Sequence, residues 1–98
     1  MPADLTSDLS RDDAVPYFLW DAPMTVREIR SVLGGPGSAE RTRLLARILR
    51  EARDTDVWTF VAPAQVVAEW DEVAPFLGRR REFWRFLIDR WRAEGLLA

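Results

Sequence analysis

Ser38-Ala39-Glu40-Arg41-Thr42-Arg43-Leu44-Leu45-Ala46-Arg47-Ile48-Leu49-Arg50-Glu51-Ala52-Arg53 carries the strongest periodic signal in the chain. At 100° per residue, Leu44, Leu45, Ile48, Leu49 and Ala52 fall within about 140° of arc. Arg43, Arg47, Arg50 and Arg53 fall on the opposite side. Ser38 is a residue type that caps helix N-termini. The stretch therefore predicts an amphipathic helix with a cationic outer face. Its apolar stripe must be covered by other elements, and the flanking sequence predicts helices to cover it.

Upstream, Thr25-Val26-Arg27-Glu28 reads as a capping box, with a Thr hydroxyl for the third amide and a Glu reaching back. Val26, Ile29, Val32 and Leu33 then share one side of a short helix over about 25–33. Gly34-Gly35-Pro36-Gly37 stops it. This glycine cluster follows a helix rather than a strand and contains a proline, so it reads as a linker and not as a phosphate loop.

Downstream, Asp54-Thr55-Asp56 breaks the pattern. Val57 to Val61 alternates weakly, but a strand there would have no partner, so a connector or a turn of helix is expected. Pro63 suits the first position of a helix carrying Val66, Val67 and Trp70. Residues 71–77 continue as a turn or short helix, closed by Gly78. A last helix spans about 79–94 and ends at Gly95. Its apolar residues Phe83, Trp84, Phe86, Leu87, Ile88 and Trp91 cover an arc near 200°, wider than the stripe of an ordinary surface helix. Either that helix is central to the fold, or part of its aromatic face meets another chain. Glu82 and Asp89 are spaced to form local ion pairs with Arg85.

Met1 to Ala14 is polar and acidic, and reads as a mobile arm. In Val15-Pro16-Tyr17-Phe18-Leu19-Trp20-Asp21-Ala22-Pro23, four large apolar residues stand between two prolines that favour extended geometry. Two readings stand: a strap packed over the helices, or a peptide that docks on another protein. Trp20 is the better docking candidate of the five tryptophans; Trp58, Trp70, Trp84 and Trp91 are expected mainly in the core.

All 14 basic residues are Arg, against 16 acids, and the chain of 98 residues has no Cys, His, Lys or Asn. Thiolate or imidazole zinc sites, Ser-His or Cys-His nucleophiles, Schiff-base lysines and phosphate-loop lysines are thereby excluded. No cofactor is expected. The neighbouring acids Glu69, Asp71 and Glu72, like Asp54 and Asp56, lack a supporting motif and read as solvated loop residues. The acidic start lacks the basic region of a secretion signal, and no apolar run is long enough to span a membrane. A soluble cytoplasmic protein without membrane contact is expected.

The net charge of −2 hides a segregation of charge. Residues 41–53 and 79–92 each carry +4, and residues 1–24 carry −4. Three targets compete for the arginines: phosphate backbones, an acidic cleft on a partner protein, and the chain's own acidic arm. A low pI counts against nucleic acid.

Pro16-Tyr17-Phe18-Leu19-Trp20-Asp21, Thr25-Val26-Arg27-Glu28, the run from Ala46 to Trp58, and Leu77-Gly78-Arg79-Arg80-Arg81-Glu82-Phe83-Trp84 together resemble an ordered set. It is found in small, uncharacterised prokaryotic helical proteins encoded beside nucleotidyltransferase-type toxins of the abortive-infection class. The resemblance covers the chain from Pro16 onward and transfers no catalytic residue. It implies an antitoxin-like partner that binds and neutralises such a toxin.

The fold expected from these readings is all-α: a compact bundle of four to five helices over 25–98, preceded by an irregular acidic arm and aromatic strap over 1–24. The expected function is non-catalytic protein binding through Tyr17, Phe18, Trp20, Arg43, Arg47, Arg50, Arg79, Arg80 and Arg81. The alternative is a small nucleic-acid-binding module with its arginine faces on phosphates. Self-association into a homo-oligomer is compatible with either.

Overall fold

The computed structural model describes residues 5–95; the first four residues of the expected arm and the last three of the chain lie outside them. The protein is mostly helical. Among the described residues, six α-helices follow in order: α1 (Val26–Gly34), α2 (Ala39–Glu51), α3 (Asp54–Val57), α4 (Pro63–Ala68), α5 (Trp70–Val73) and α6 (Arg80–Ala93). Two 3-10 turns, Tyr17–Leu19 and Ala74–Phe76, complete the helical part. α3 and α5 are single turns, which is why the count exceeds the expected four to five.

The all-α expectation needs one correction. Strand β1 (Leu5–Thr6) pairs in parallel with β2 (Val15–Pro16), Leu5 opposite Val15. The connection between them is closed by short polar side chains. Thr6 Oγ1 accepts the Asp8 amide at 3.0 Å, and Asp8 Oδ1 accepts the Ser10 amide at 3.1 Å. Such Asx-type turns need no periodicity, which explains why the pairing left no periodic signal. Leu9 is buried and anchors the loop to the core. The carbonyls of Ala14 and Asp12 accept the Val26 and Arg27 amides, two of the four at the start of α1 that have no intrahelical partner.

Local signals place the long helices. The Thr25 hydroxyl accepts the Glu28 amide at 3.2 Å and Glu28 accepts the Thr25 amide at 3.1 Å, so both halves of the capping box form. Ser38 Oγ accepts the Arg41 amide at 3.1 Å. Pro63 is the first residue of α4. Gly95, at φ 71°, ends α6 in the left-handed geometry that favours glycine.

α2 is the central helix. Its stripe of Leu44, Leu45, Ile48, Leu49 and Ala52 is buried against α1, α3, α5 and both 3-10 turns. Phe18 and Leu19 of the strap join the same core, as do Val57, Val66, Val73, Leu77, Trp84 and Ile88. α6 buries only Trp84 and Ile88 outright.

α2 has no glycine to terminate it, and aromatic side chains satisfy its last turn instead. The Trp84 indole N–H donates to the Leu49 carbonyl at 2.7 Å. In a longer helix that carbonyl would accept the Arg53 amide. Here the Arg53 amide donates to the Tyr17 hydroxyl at 2.7 Å, and that hydroxyl donates to Asp56 Oδ2 at 2.6 Å. Desolvation holds the Tyr17 phenol above its ordinary pKa. The aromatic strap and α6 thus meet the two ends of one broken helical hydrogen bond.

Arg41 ties three elements together. Its Nε donates to the Leu33 carbonyl at the end of α1 at 3.0 Å, and both terminal nitrogens donate to the Glu69 carboxylate. Glu69 stands between α4 and α5, where the predicted single helix is interrupted. The Arg41 hydrogen bonds hold the Glu69 carboxyl below its ordinary pKa. A lowered folded-state pKa contributes stability above the unfolded glutamate value of about 4.3, which is lost as pH falls through the folded value. Glu69→Gln is therefore expected to cost about 1 kcal/mol at neutral pH. In urea titrations the difference from wild type should shrink as the pH drops below about 4. A difference that stays constant on acidification would detach Glu69 from the acid transition.

Candidate partner-binding surface

Trp20 is the site's most prominent feature. Its neighbours Phe18 and Leu19 turn inward, and Trp20 is left 54% exposed. It follows the 3-10 turn, where side chains one and two positions apart point in different directions. The Arg47 guanidinium lies 4.3 Å from the centre of the Trp20 ring, a cation–π arrangement. Arg47 Nε donates to the Phe18 carbonyl at 3.0 Å, and its terminal nitrogens reach Asp21. The Arg47 hydrogen bond lowers the Asp21 pKa. Arg47 therefore fixes the strap on α2 and holds Trp20 at the surface.

Beside this stack lies a groove of about 230 Å³. Leu19, Met24 and Leu44 form its apolar part, with Arg43, Arg47 and Glu40 among its other lining residues. A second groove of about 270 Å³ lies between α2 and the 3-10 turn at Ala74–Phe76. It is lined by Ala39, Thr42, Arg43, Glu72 and Phe76. Arg43 borders both grooves, is exposed, and makes no ion pair among the described residues. Both volumes fall below the roughly 300–1,000 Å³ of small-molecule pockets, and suit one or two side chains of a partner.

The nine residues singled out in the sequence have different positions. Trp20, Arg43 and Arg47 come together at the first groove. Phe18 is 1% exposed and belongs to the core. Tyr17 is half-buried and holds Arg53 and Asp56. Arg50 bonds Glu51 and the Phe76 carbonyl, bracing the second groove. Arg80 pairs with Asp54 and lies over the Phe83 ring at 4.4 Å. Arg79 and Arg81 are exposed, with no carboxylate partner among the described residues.

The expected cationic outer face of α2 is therefore partly neutralised from within. Asp21 of the acidic segment does fold back on Arg47, while Asp13 pairs with its neighbour Arg11. Met24 and Phe76 escape a reading of the sequence. Their roles depend on which elements meet, and neither stands in a periodic pattern. Arg79, Arg80 and Arg81 crowd the N-terminus of α6, where cations oppose the helix dipole. Such local conflicts concentrate at functional sites. Among the described residues, no helix is long and apolar enough to cross a membrane. Comparison with protein-family models, curated proteins and solved structures finds no match to this chain.

Proposed function

We propose that this protein is a non-catalytic, cytoplasmic binding partner of a nucleotidyltransferase-type toxin and neutralises it in the manner of an antitoxin. The observation that carries the protein-binding part is the exposed Trp20 held by Arg47 beside an apolar groove bordered by Arg43, which has no ion pair among the described residues. Tryptophan and arginine dominate the energetics of protein interfaces. A rigidly held Trp loses little conformational freedom on binding. The choice of toxin class rests on the sequence resemblance.

Internal pairing weakens the rival nucleic-acid reading. Arg41, Arg47 and Arg80 are spent on Glu69, Asp21 and Asp54, which leaves fewer guanidinium groups for phosphates.

The test is co-expression with a nucleotidyltransferase toxin, scored by growth and by co-purification. Trp20→Ala combined with Arg43→Glu avoids the buried core and should abolish neutralisation. Full protection by that variant would remove the groove as the contact. Tight binding of RNA or DNA with a steep salt dependence would favour the rival instead.

A further inference from the structure

We propose that α6 pairs with α6 of a second copy of this chain, antiparallel and centred on Leu87. Phe86 is the most exposed large apolar residue of the molecule among those described, at 59%. It stands on the side of α6 away from the buried Trp84 and Ile88, about 160° around the helix from each, at 100° per residue. Glu82, Arg85, Asp89 and Arg92 are also exposed. None of these four forms an ion pair among the described residues, although Arg85 is spaced for local bonds with Glu82 and Asp89. The ion pair formed within α6 and its cap is Arg90 with Glu94.

These unused charges are arranged as an antiparallel complement. With Leu87 opposite Leu87 of the second copy, Arg85 faces Asp89 and Glu82 faces Arg92, each pair occurring twice by symmetry. Phe83 then faces Trp91, and no like charges oppose one another anywhere from Arg79 to Gly95. Shifting the centre by half a residue either way sets arginines against each other: Arg81 against Arg92, or Arg85 against Arg90. A parallel pair would oppose every charge to itself. Charge complementarity thus selects one register and one direction, as it does in coiled coils. A single helix pair is smaller than a standard interface of roughly 800 Å² per partner. The expected behaviour is a monomer–dimer equilibrium.

Sedimentation of the full chain from about 1 μM to about 1 mM tests this. Wild type should shift toward dimer with concentration. Arg85→Glu and Asp89→Arg should each weaken self-association about tenfold or more, because two attractive pairs become repulsive. Both positions are exposed, and circular dichroism checks that each variant stays helical. An equimolar mixture of the two variants should recover the dimer. In the mixed pair the two substituted positions face each other with opposite charges, and the native Arg85 of one copy faces the native Asp89 of the other. A local helix effect would not be rescued by mixing. A wild type that remains monomeric at the highest concentration would overturn the proposal. So would single variants that dimerise as well as wild type, or a mixture that stays monomeric.

Discussion

Trp84→Ala is expected to destabilise the protein by about 4 kcal/mol, and to leave little folded protein at physiological temperature. Trp84 is fully buried and is the largest side chain of the core. It meets Trp58 edge-on at 5.7 Å and Phe83 at 5.2 Å, and donates to the Leu49 carbonyl. Truncation removes all three together: apolar burial, the aromatic contacts, and the partner of a carbonyl at the end of α2. A chain of this size buries a smaller fraction of its surface than larger domains and has little stability to spare. Trp84→Phe separates the contributions. It retains most of the apolar volume but leaves the Leu49 carbonyl without its donor, at an expected cost of about 1–3 kcal/mol. Urea unfolding followed by circular dichroism measures both. Equal stability of Trp84→Phe and wild type would mean that the Leu49 carbonyl does not need the indole.

The same carbonyl shows where sequence reading stops. Starts of helices are legible because their signals are local. Thr25 with Glu28, Ser38, and Pro63 each act within one turn of their own position. The stripe of α2 is legible because burial follows the helical period. The end of α2 is not, since its cap comes from Trp84 and Tyr17, each more than 30 residues away. Likewise, the ladder between Leu5–Thr6 and Val15–Pro16 depends on side-chain turns and on Leu9 reaching the core. The interruption at Glu69 follows from a tertiary bond to Arg41, which no local pattern announces.

The candidate site is legible to a similar depth. An exposed Trp20 and an exposed Arg43 are both expected from the sequence, and both are found. The destination of each arginine is not. Arg43 and Arg47 are one helical turn apart on α2, yet Arg47 is covered by the strap and Arg43 is exposed. Helical periodicity assigns both to the outer face. Only the path of residues 15–23 across that face separates a structural guanidinium from an available one. The groove floor of Leu19, Met24 and Leu44 arises from the same crossing.

Phe18→Ala is expected to cost about 3–4 kcal/mol, whereas Trp20→Ala should cost under about 1 kcal/mol. The two aromatic residues stand two positions apart and have opposite fates. Phe18 packs edge-on against Tyr17 at 5.3 Å and Phe60 at 6.0 Å, inside the cluster that includes Ile48 and Leu49. Trp20 contributes an exposed ring beneath Arg47, where a cation–π contact adds about 0.5–1 kcal/mol. Partner binding should therefore fail for two distinguishable reasons. In Phe18→Ala, loss of binding should accompany loss of helical signal, and lowering the temperature should restore both together. In Trp20→Ala, binding should fall while the unfolding curve stays close to wild type. A Phe18→Ala variant with unchanged stability would show that the strap is not part of the core. Arg47 would then hold a peripheral peptide instead of a core segment, and Trp20 would lose the rigid support that suits it to anchor a partner.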